Sequence, residues 1–317
     1  MMKNLLICQT PFQLILARSI LGGRNDYDLL LILEKNSNYE KIEHYVRYFV
    51  DNNIDVKCLE INNSGIFSLK SLFCINLFLK NNLDKEYNHI YFSSIHNLYI
   101  QLIISIVRFK QINTFDDGIG NINKEGVFYS DYLSLKSKII RYFFKIKFDI
   151  NKIKKQTKSH YTIYKGIDNI VENCTYVDLF GGVDTNAIDK YEEVSIFIGQ
   201  PLEAIDTDID YTCLKDFMSK KGISLYYPHP RENLNVEFNK ITSPLIAEEY
   251  IINFLRENPN LKINVYGFFS SVLFNVISIH RIKVYALSDN LMSKKYSFLY
   301  SMLNDMGGIV LNIEDSI

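Results

Sequence analysis

Short runs rich in Val, Ile, Leu and Tyr recur along the chain, each parted from the next by a longer helical pattern, and this alternation restricts the fold more than any other feature. In the first half the runs are KNLLIC, DLLLILE, DVKCLEI, HIYFSS and INTF; after about residue 190 the pattern restarts with VSIFIG, ISLYY, KINVYGFF, KVYALS and GIVLNI. Strands that alternate with helices pair in parallel and are covered on both faces. An α/β protein of two Rossmann-like units in tandem is expected, one over residues 1–190 and one over 191–317. The chain of 317 residues is long enough for two cores, and a composition 47% hydrophobic and 14% aromatic can fill them.

Several function classes fall away at once. A net charge of −1 does not suit a nucleic-acid surface, so no nucleic acid is expected as a partner. The five cysteines are scattered and never form a CxxC pair, which argues against a disulfide framework or a zinc site and for a reducing, cytoplasmic setting. The opening MMKNLLICQTPFQ lacks a basic segment ahead of a continuous apolar one, so no signal peptide is expected. The most apolar interior stretch, LYIQLIISIV, is about half the length a bilayer requires. Within the first unit, residues 131–160 form a basic helical insertion in which Lys and Arg interleave with Ile, Phe and Tyr. Such a helix suits peripheral contact with anionic lipid; it equally suits a solvated helix whose apolar stripe packs on its own unit or on a twin subunit.

In open parallel sheets, ligands gather at the carboxyl ends of strands, so polar residues there carry the most weight. Four segments qualify. VSIFIGQPLEA places Gly199 and Gln200 after a strand, YYPHPRE places His229, NVYGFFSS places Phe269, Ser270 and Ser271, and INTFDDGIGN places Asp116, Asp117 and Asn121. His229 stands between two prolines, Pro228 and Pro230, which stiffen the segment in non-helical geometry. The two serines supply hydroxyls for a phosphate, although a plain helix cap explains them as well. In SPLIAEEYI, Glu248 and Glu249 open a helix; they either complement its dipole or accept from ribose hydroxyls.

Asp116, Asp117 and Glu203 are carboxylate candidates for a general base, while DDG alone reads as an ordinary turn. No P-loop, GxGxxG, HExxH or GxSxG is present, which removes hydride transfer and metalloprotease chemistry. DTDID (Asp206–Asp210) has the letters of a cation-holding DxD triplet but falls outside a strand end, so no metal is expected.

Taken together, INTFDDGIGN, HYTIYKGIDNIV, VSIFIGQP, YYPHPRE, SPLIAEEYI, NVYGFFSS and VYAL make the chain resemble the bacterial lipooligosaccharide α-2,3-sialyltransferases of glycosyltransferase family 52, in the family's order and over most of the length. The resemblance implies a GT-B fold, two Rossmann-like domains facing each other across a cleft, with CMP-sialic acid as donor and inverting transfer without a metal or other cofactor. It implies that His229 meets the leaving phosphate, that Ser270 and its neighbour Ser271 grip it, and that Glu248 binds ribose. Gly199, Gln200, Pro230 and Phe269 complete the donor set; Gln9, Thr10, Asp116, Asp117 and Asn121 stand on the acceptor side. The family pattern places an Asp directly after the Pro of its G-x-P loop, where this chain has Leu202 and then Glu203, leaving Glu203 and Asp116 as rival bases. The family's membrane-spanning N-terminal segment has no counterpart here, which implies peripheral attachment, and family members pair through the middle region, which implies a homodimer.

Alternative readings are a transferase for another nucleotide sugar such as a glucosyl donor, a nucleotide-sugar epimerase or hydrolase, and a non-catalytic membrane-binding module.

Overall fold

The structure is a computed structural model that describes residues 2–34, 38–61, 69–84, 86–130, 133–181, 191–229, 231–232 and 239–314. The chain divides into two compact units, Met1–Leu179 and Phe180–Ile317. The sequence expectation of two parallel α/β units holds in both.

The first unit runs β1 (Asn4–Cys8), α1 (Pro11–Leu21), β2 (Tyr27–Glu34), α2 (Tyr39–Asp51), β3 (Asp55–Ile61), α3 (Leu69–Asn82), β4 (Glu86–Phe92), α4 (Leu98–Ile106), β5 (Arg108–Phe115), α5 (Leu135–Phe143), α6 (Ile150–Gln156), β6 (Thr157–Thr162) and β7 (Cys174–Tyr176). Its seven strands are ordered β3-β2-β1-β4-β5-β6-β7 and every pairing is parallel. β1 is buried at all five positions and β2 at its first seven, as strands covered on both faces must be. Helix α1 shows why the turn after β1 is sharp. Thr10 caps it by accepting from Gln13 N at 3.3 Å, Pro11 occupies its first turn, and Gly22 ends it at φ +57°, a left-handed conformation that glycine adopts without strain.

The second unit runs β8 (Glu192–Ile198), α7 (Tyr211–Lys220), β9 (Leu225–Tyr227), β10 (Asn239–Lys240), α8 (Ala247–Glu257), β11 (Leu261–Gly267), α9 (Ser271–Val276), β12 (Ile282–Ser288), α10 (Asn290–Lys295), α11 (Ser297–Asp305) and β13 (Ile309–Asn312). The parallel order is β10-β9-β8-β11-β12-β13. Ile196, Ile263, Val265, Val284 and Ala286 fill its centre.

In each sheet the strand order reverses once, between β1 and β4 in the first unit and between β8 and β11 in the second. Loops leaving the strands at such a reversal diverge and open a crevice, so both points are where a ligand would be sought.

Arg281 holds the back of the second sheet. It is 7% exposed at φ +68°, and its guanidinium donates to Asn258 O (3.1 Å), Pro259 O (2.7 Å), Leu261 O (2.9 Å) and Leu255 O (3.1 Å). It thereby satisfies carbonyls at the end of α8 and the start of β11, where a cation also complements the helix dipole. Arg281→Ala is expected to destabilise the second unit by about 3 kcal/mol, because four acceptors lose a charged donor; urea unfolding measures it.

Among the described residues no helix is long and apolar enough to cross a membrane. The expected basic insertion is two short helices, α5 and α6, rather than one long one. Its first two residues lie outside the described residues.

Candidate active site

At the reversal of the second sheet, β8 ends at Ile198 and the chain continues through Gly199 and Gln200 to a 3₁₀ turn, Leu202–Ala204. Gly199 N donates to Tyr227 O at 2.8 Å, which draws the loop after β8 against the end of β9. A Cβ on Gly199 would overlap Glu232 Oε2 and stand 2.9 Å from both His229 N and the Tyr226 hydroxyl. Only glycine permits this approach.

His229 and Glu232 form one rigid turn. Glu232 N donates to His229 O (3.0 Å), His229 N donates to Glu232 Oε2 (3.2 Å), and Arg231 N donates to His229 Nδ1 (3.1 Å). A ring nitrogen that accepts from a backbone N–H carries no proton, so the imidazole proton resides on Nε2. The fixity expected of the proline pair is thus supplied at least in part by hydrogen bonds; Pro230 itself lies outside the described residues. Glu232 was not singled out by sequence. Burial pushes its carboxyl above the ordinary value and nearby Glu203 adds to the rise, opposed by the Tyr226 hydroxyl and the His229 N–H. Glu232 Oε1 and Gln200 Oε1 are both buried acceptors without a donor among the described residues.

On the other side of the reversal, β11 leads through Phe269 to Ser270 and Ser271. Ser270 caps α9, its Oγ accepting from Val272 N at 3.4 Å. Phe269 is half-buried with its ring 4.3 Å from that of Tyr296. Glu248, in the first turn of α8, is 5% exposed and accepts from Asn275 Nδ2 at 2.8 Å, which ties α8 to α9. Glu203 is exposed and accepts from the Tyr211 hydroxyl at 2.9 Å.

The loop bearing Glu203 is pinned by Asp289, a fully buried residue after β12. Its carboxylate accepts from Thr207 Oγ1 (2.6 Å), Asp208 N (2.8 Å) and Met292 N (2.6 Å). Burial alone would raise its pKa; the Met292 N–H, the Thr207 hydroxyl and the Asp208 N–H outweigh that and hold it below the ordinary 3.8. The stabilisation is therefore full above pH 3.8 and fades as pH falls through the lower native value. Asp289→Ala is expected to cost about 2 kcal/mol at neutral pH, and melts in a pH series taken below pH 3.8 should show the gap between wild type and variant narrowing as pH falls.

The remaining acids of DTDID serve as scaffold: Asp206 pairs with Lys295, and Asp210 caps α7 by accepting from Cys213 N at 2.7 Å. No cluster of three His, Cys, Asp or Glu suited to a metal occurs among the described residues.

In the first unit, Asp116 and Asp117 follow β5 but have opposite surroundings. Asp116 is wholly buried; Oδ1 accepts from His160 Nε2 (2.9 Å) and Asn169 Nδ2 (3.2 Å), and Oδ2 from Ile163 N (2.8 Å). His160, equally buried, meets Thr114 Oγ1 at 2.8 Å through Nδ1. This cluster joins the ends of β5 and β6 and leaves Asp116 no surface for a substrate. Asp117 is half-buried and reaches the reversal of the first sheet, where it accepts from Gln13 Nε2 (2.6 Å) and Ser94 Oγ (2.6 Å) while its N–H donates to Asn121 Oδ1 (2.6 Å). Gln9 joins the group, its N–H donating to Gln13 Oε1 at 2.7 Å, and Thr10 is the α1 cap. Burial lowers the pKa of His96 nearby, against the pull of Asp117. DDG is thus more than a turn: its two acids anchor separate networks.

The sequence profile of Glycosyltransferase family 52 matches residues 27–291. An N-acetyllactosaminide alpha-2,3-sialyltransferase of Haemophilus influenzae is 30% identical over 308 residues, covering 96% of this chain and 97% of that protein. A CMP-N-acetylneuraminate:beta-galactoside alpha-2,3-sialyltransferase of Pasteurella multocida is 27% identical, covering 98% of this chain and 100% of that one. Among solved structures, the glycotransferase of kitacinnamycin superposes with a TM-score of 0.48 at 6% identity, covering 99% and 87% of the two chains, and Acinetobacter baumannii MurG with 0.45 at 8%, covering 99% and 87%. A profile matching more than half of the residues, with relatives aligned over nearly their whole length, settles the family: the chain is a glycosyltransferase and belongs to glycosyltransferase family 52.

Proposed function

We propose that the chain transfers sialic acid from CMP-sialic acid to a galactoside-type acceptor of a bacterial surface glycan, with inversion and without a metal. The observation that carries this reading is the His229 turn, because it presents an imidazole whose proton is fixed on Nε2 after β9, at the carboxyl edge of the same parallel sheet in which Ser270 and Ser271 follow β11. The acceptor hydroxyl attacks the anomeric carbon of the donor as the bond to the CMP phosphate breaks. Its proton passes to a carboxylate, and the charge gathering on the phosphate is met by Nε2–H of His229 and the serine hydroxyls. Glu203 takes the proton in this reading rather than Asp116, since Glu203 is exposed beside the same loop and Asp116 is sealed. Glu248 serves the ribose, with Phe269, Gly199, Gln200 and Pro230 around the nucleotide. Gln9, Thr10, Asp117 and Asn121 serve the acceptor. A homodimer and a cytoplasmic, membrane-peripheral location belong to the same reading; light scattering tests the first.

Calorimetry with CMP and mass spectrometry of products formed from CMP-sialic acid and a panel of galactosides test the whole. Binding of CMP with sialylated product is the expected outcome. Absence of CMP binding, or turnover of uridine-diphosphate sugars instead, rejects it.

A further inference from the structure

Glu232 grips His229 from both sides. The peptide before His229 donates through His229 N to Glu232 Oε2 (3.2 Å), and the peptide after it accepts through His229 O from Glu232 N (3.0 Å). One residue thereby holds both peptide planes that flank the His229 Cα, and with them the backbone torsions that decide which side-chain rotamers are open. Arg231 N on Nδ1 (3.1 Å) then fixes the ring, so Nε2–H points to the opposite side of the imidazole. The grip is also wedged in place. Glu232 Oε2 occupies the space that a Cβ on Gly199 would fill, with the hydroxyl of the fully buried Tyr226 2.9 Å from the same point. Gly199 N is bonded in turn to Tyr227 O, so the carboxylate stands on backbone held by two paired strands, β8 and β9.

Stability alone does not account for a carboxylate here. Glu232 Oε1 is buried without a donor among the described residues, and burial disfavours the charged form, with nearby Glu203 adding to the effect. The bond from His229 N and the stranded Oε1 act on stability in opposite directions and with similar size. A charged group kept in such surroundings without a net gain in stability marks a position held for function. The group it holds is the imidazole.

We propose that Glu232 is the positioning residue of His229: it locks the turn so that Nε2–H is held in one direction and one tautomer, and it acts on the reaction only through that imidazole. The kinetic side of this inference rests on the role proposed for His229. The tautomer is read without any substrate, so the two can fail separately.

The test compares the full-length wild type with Glu232→Ala and Glu232→Gln by long-range nitrogen–proton NMR of the histidine rings, single-turnover transfer from CMP-sialic acid, CMP calorimetry and thermal melts. The His229 signals are assigned by their loss in His229→Ala. In wild type His229 should show the Nε2-protonated tautomer alone, and in Glu232→Ala the two tautomers should mix. Turnover of Glu232→Ala should fall about a hundredfold, with the CMP dissociation constant changed less than about threefold and the melting temperature within about 3 °C of wild type. Glu232→Gln keeps an oxygen for His229 N and should return turnover to within about tenfold of wild type. In the His229→Ala background Glu232→Ala should cost nothing further, as expected of a residue that works through another. Three outcomes overturn the proposal: a single His229 tautomer retained in Glu232→Ala, a further loss of turnover in the His229→Ala background, or a fall in melting temperature of more than about 10 °C, which would make Glu232 a structural brace. If wild type does not turn over CMP-sialic acid, the proposed function fails and the tautomer alone decides: mixing in Glu232→Ala upholds the positioning role, and a retained single tautomer overturns it.

Discussion

His229→Ala is expected to lower turnover roughly a thousandfold while changing the dissociation constant of CMP by less than about tenfold. The asymmetry follows from timing. Under the proposed mechanism, the proton on Nε2 matters most when negative charge concentrates on the departing phosphate, and less in the ground-state complex, where the proposed serine and ribose contacts would remain. Steady-state kinetics paired with calorimetry separates the two effects. His229→Gln keeps a side-chain N–H without the imidazole and should recover part of the loss. Unchanged turnover in His229→Ala would remove the residue from the mechanism.

The second large effect comes from one methyl group. Gly199→Ala is expected to cost about 2 kcal/mol in stability and to lower turnover by about a hundredfold, because the new Cβ overlaps the Glu232 carboxylate and presses on the backbone N–H of His229. The Glu232 side chain can swing away; the His229 backbone cannot without moving the turn. Gly199→Ala/Glu232→Ala should therefore regain most of the stability and little of the turnover, read by thermal melts and single-turnover kinetics. Equal recovery of both would mean that Glu232, rather than the position of His229, carries the effect.

The strand runs were legible because both sheets are fully parallel and their central strands are buried on both faces, which writes them as continuous apolar segments. β6 and β7 were not. TKSHYT hides its core position behind His160, a polar residue made acceptable in the interior by Thr114 and Asp116, and CTY is three exposed residues at a sheet edge. The helical spacing of α5 was readable, but spacing does not say which side faces the core; the structure turns the stripe outward. At the candidate site, residues after strand ends were found because strand ends are visible in sequence. Glu232 was missed because its place over Gly199 depends on the neighbouring positions of β8 and β9 and on a turn that folds it back. Asp116 and Asp117, adjacent in sequence, differ because one points at His160 and the other at Gln13 and Ser94, and no local pattern encodes those distant partners.

Asp289 has a consequence for selectivity. By clamping Thr207 and Asp208 to the end of β12, it holds the segment that carries Glu203; under the proposed function, in which that segment borders the donor sugar, it denies the segment the freedom to reshape itself around a differently sized one. A stiff wall discriminates by exclusion: an ill-fitting donor is turned away rather than accommodated, and broadening the range of donors would begin by loosening that tether rather than by recarving the pocket.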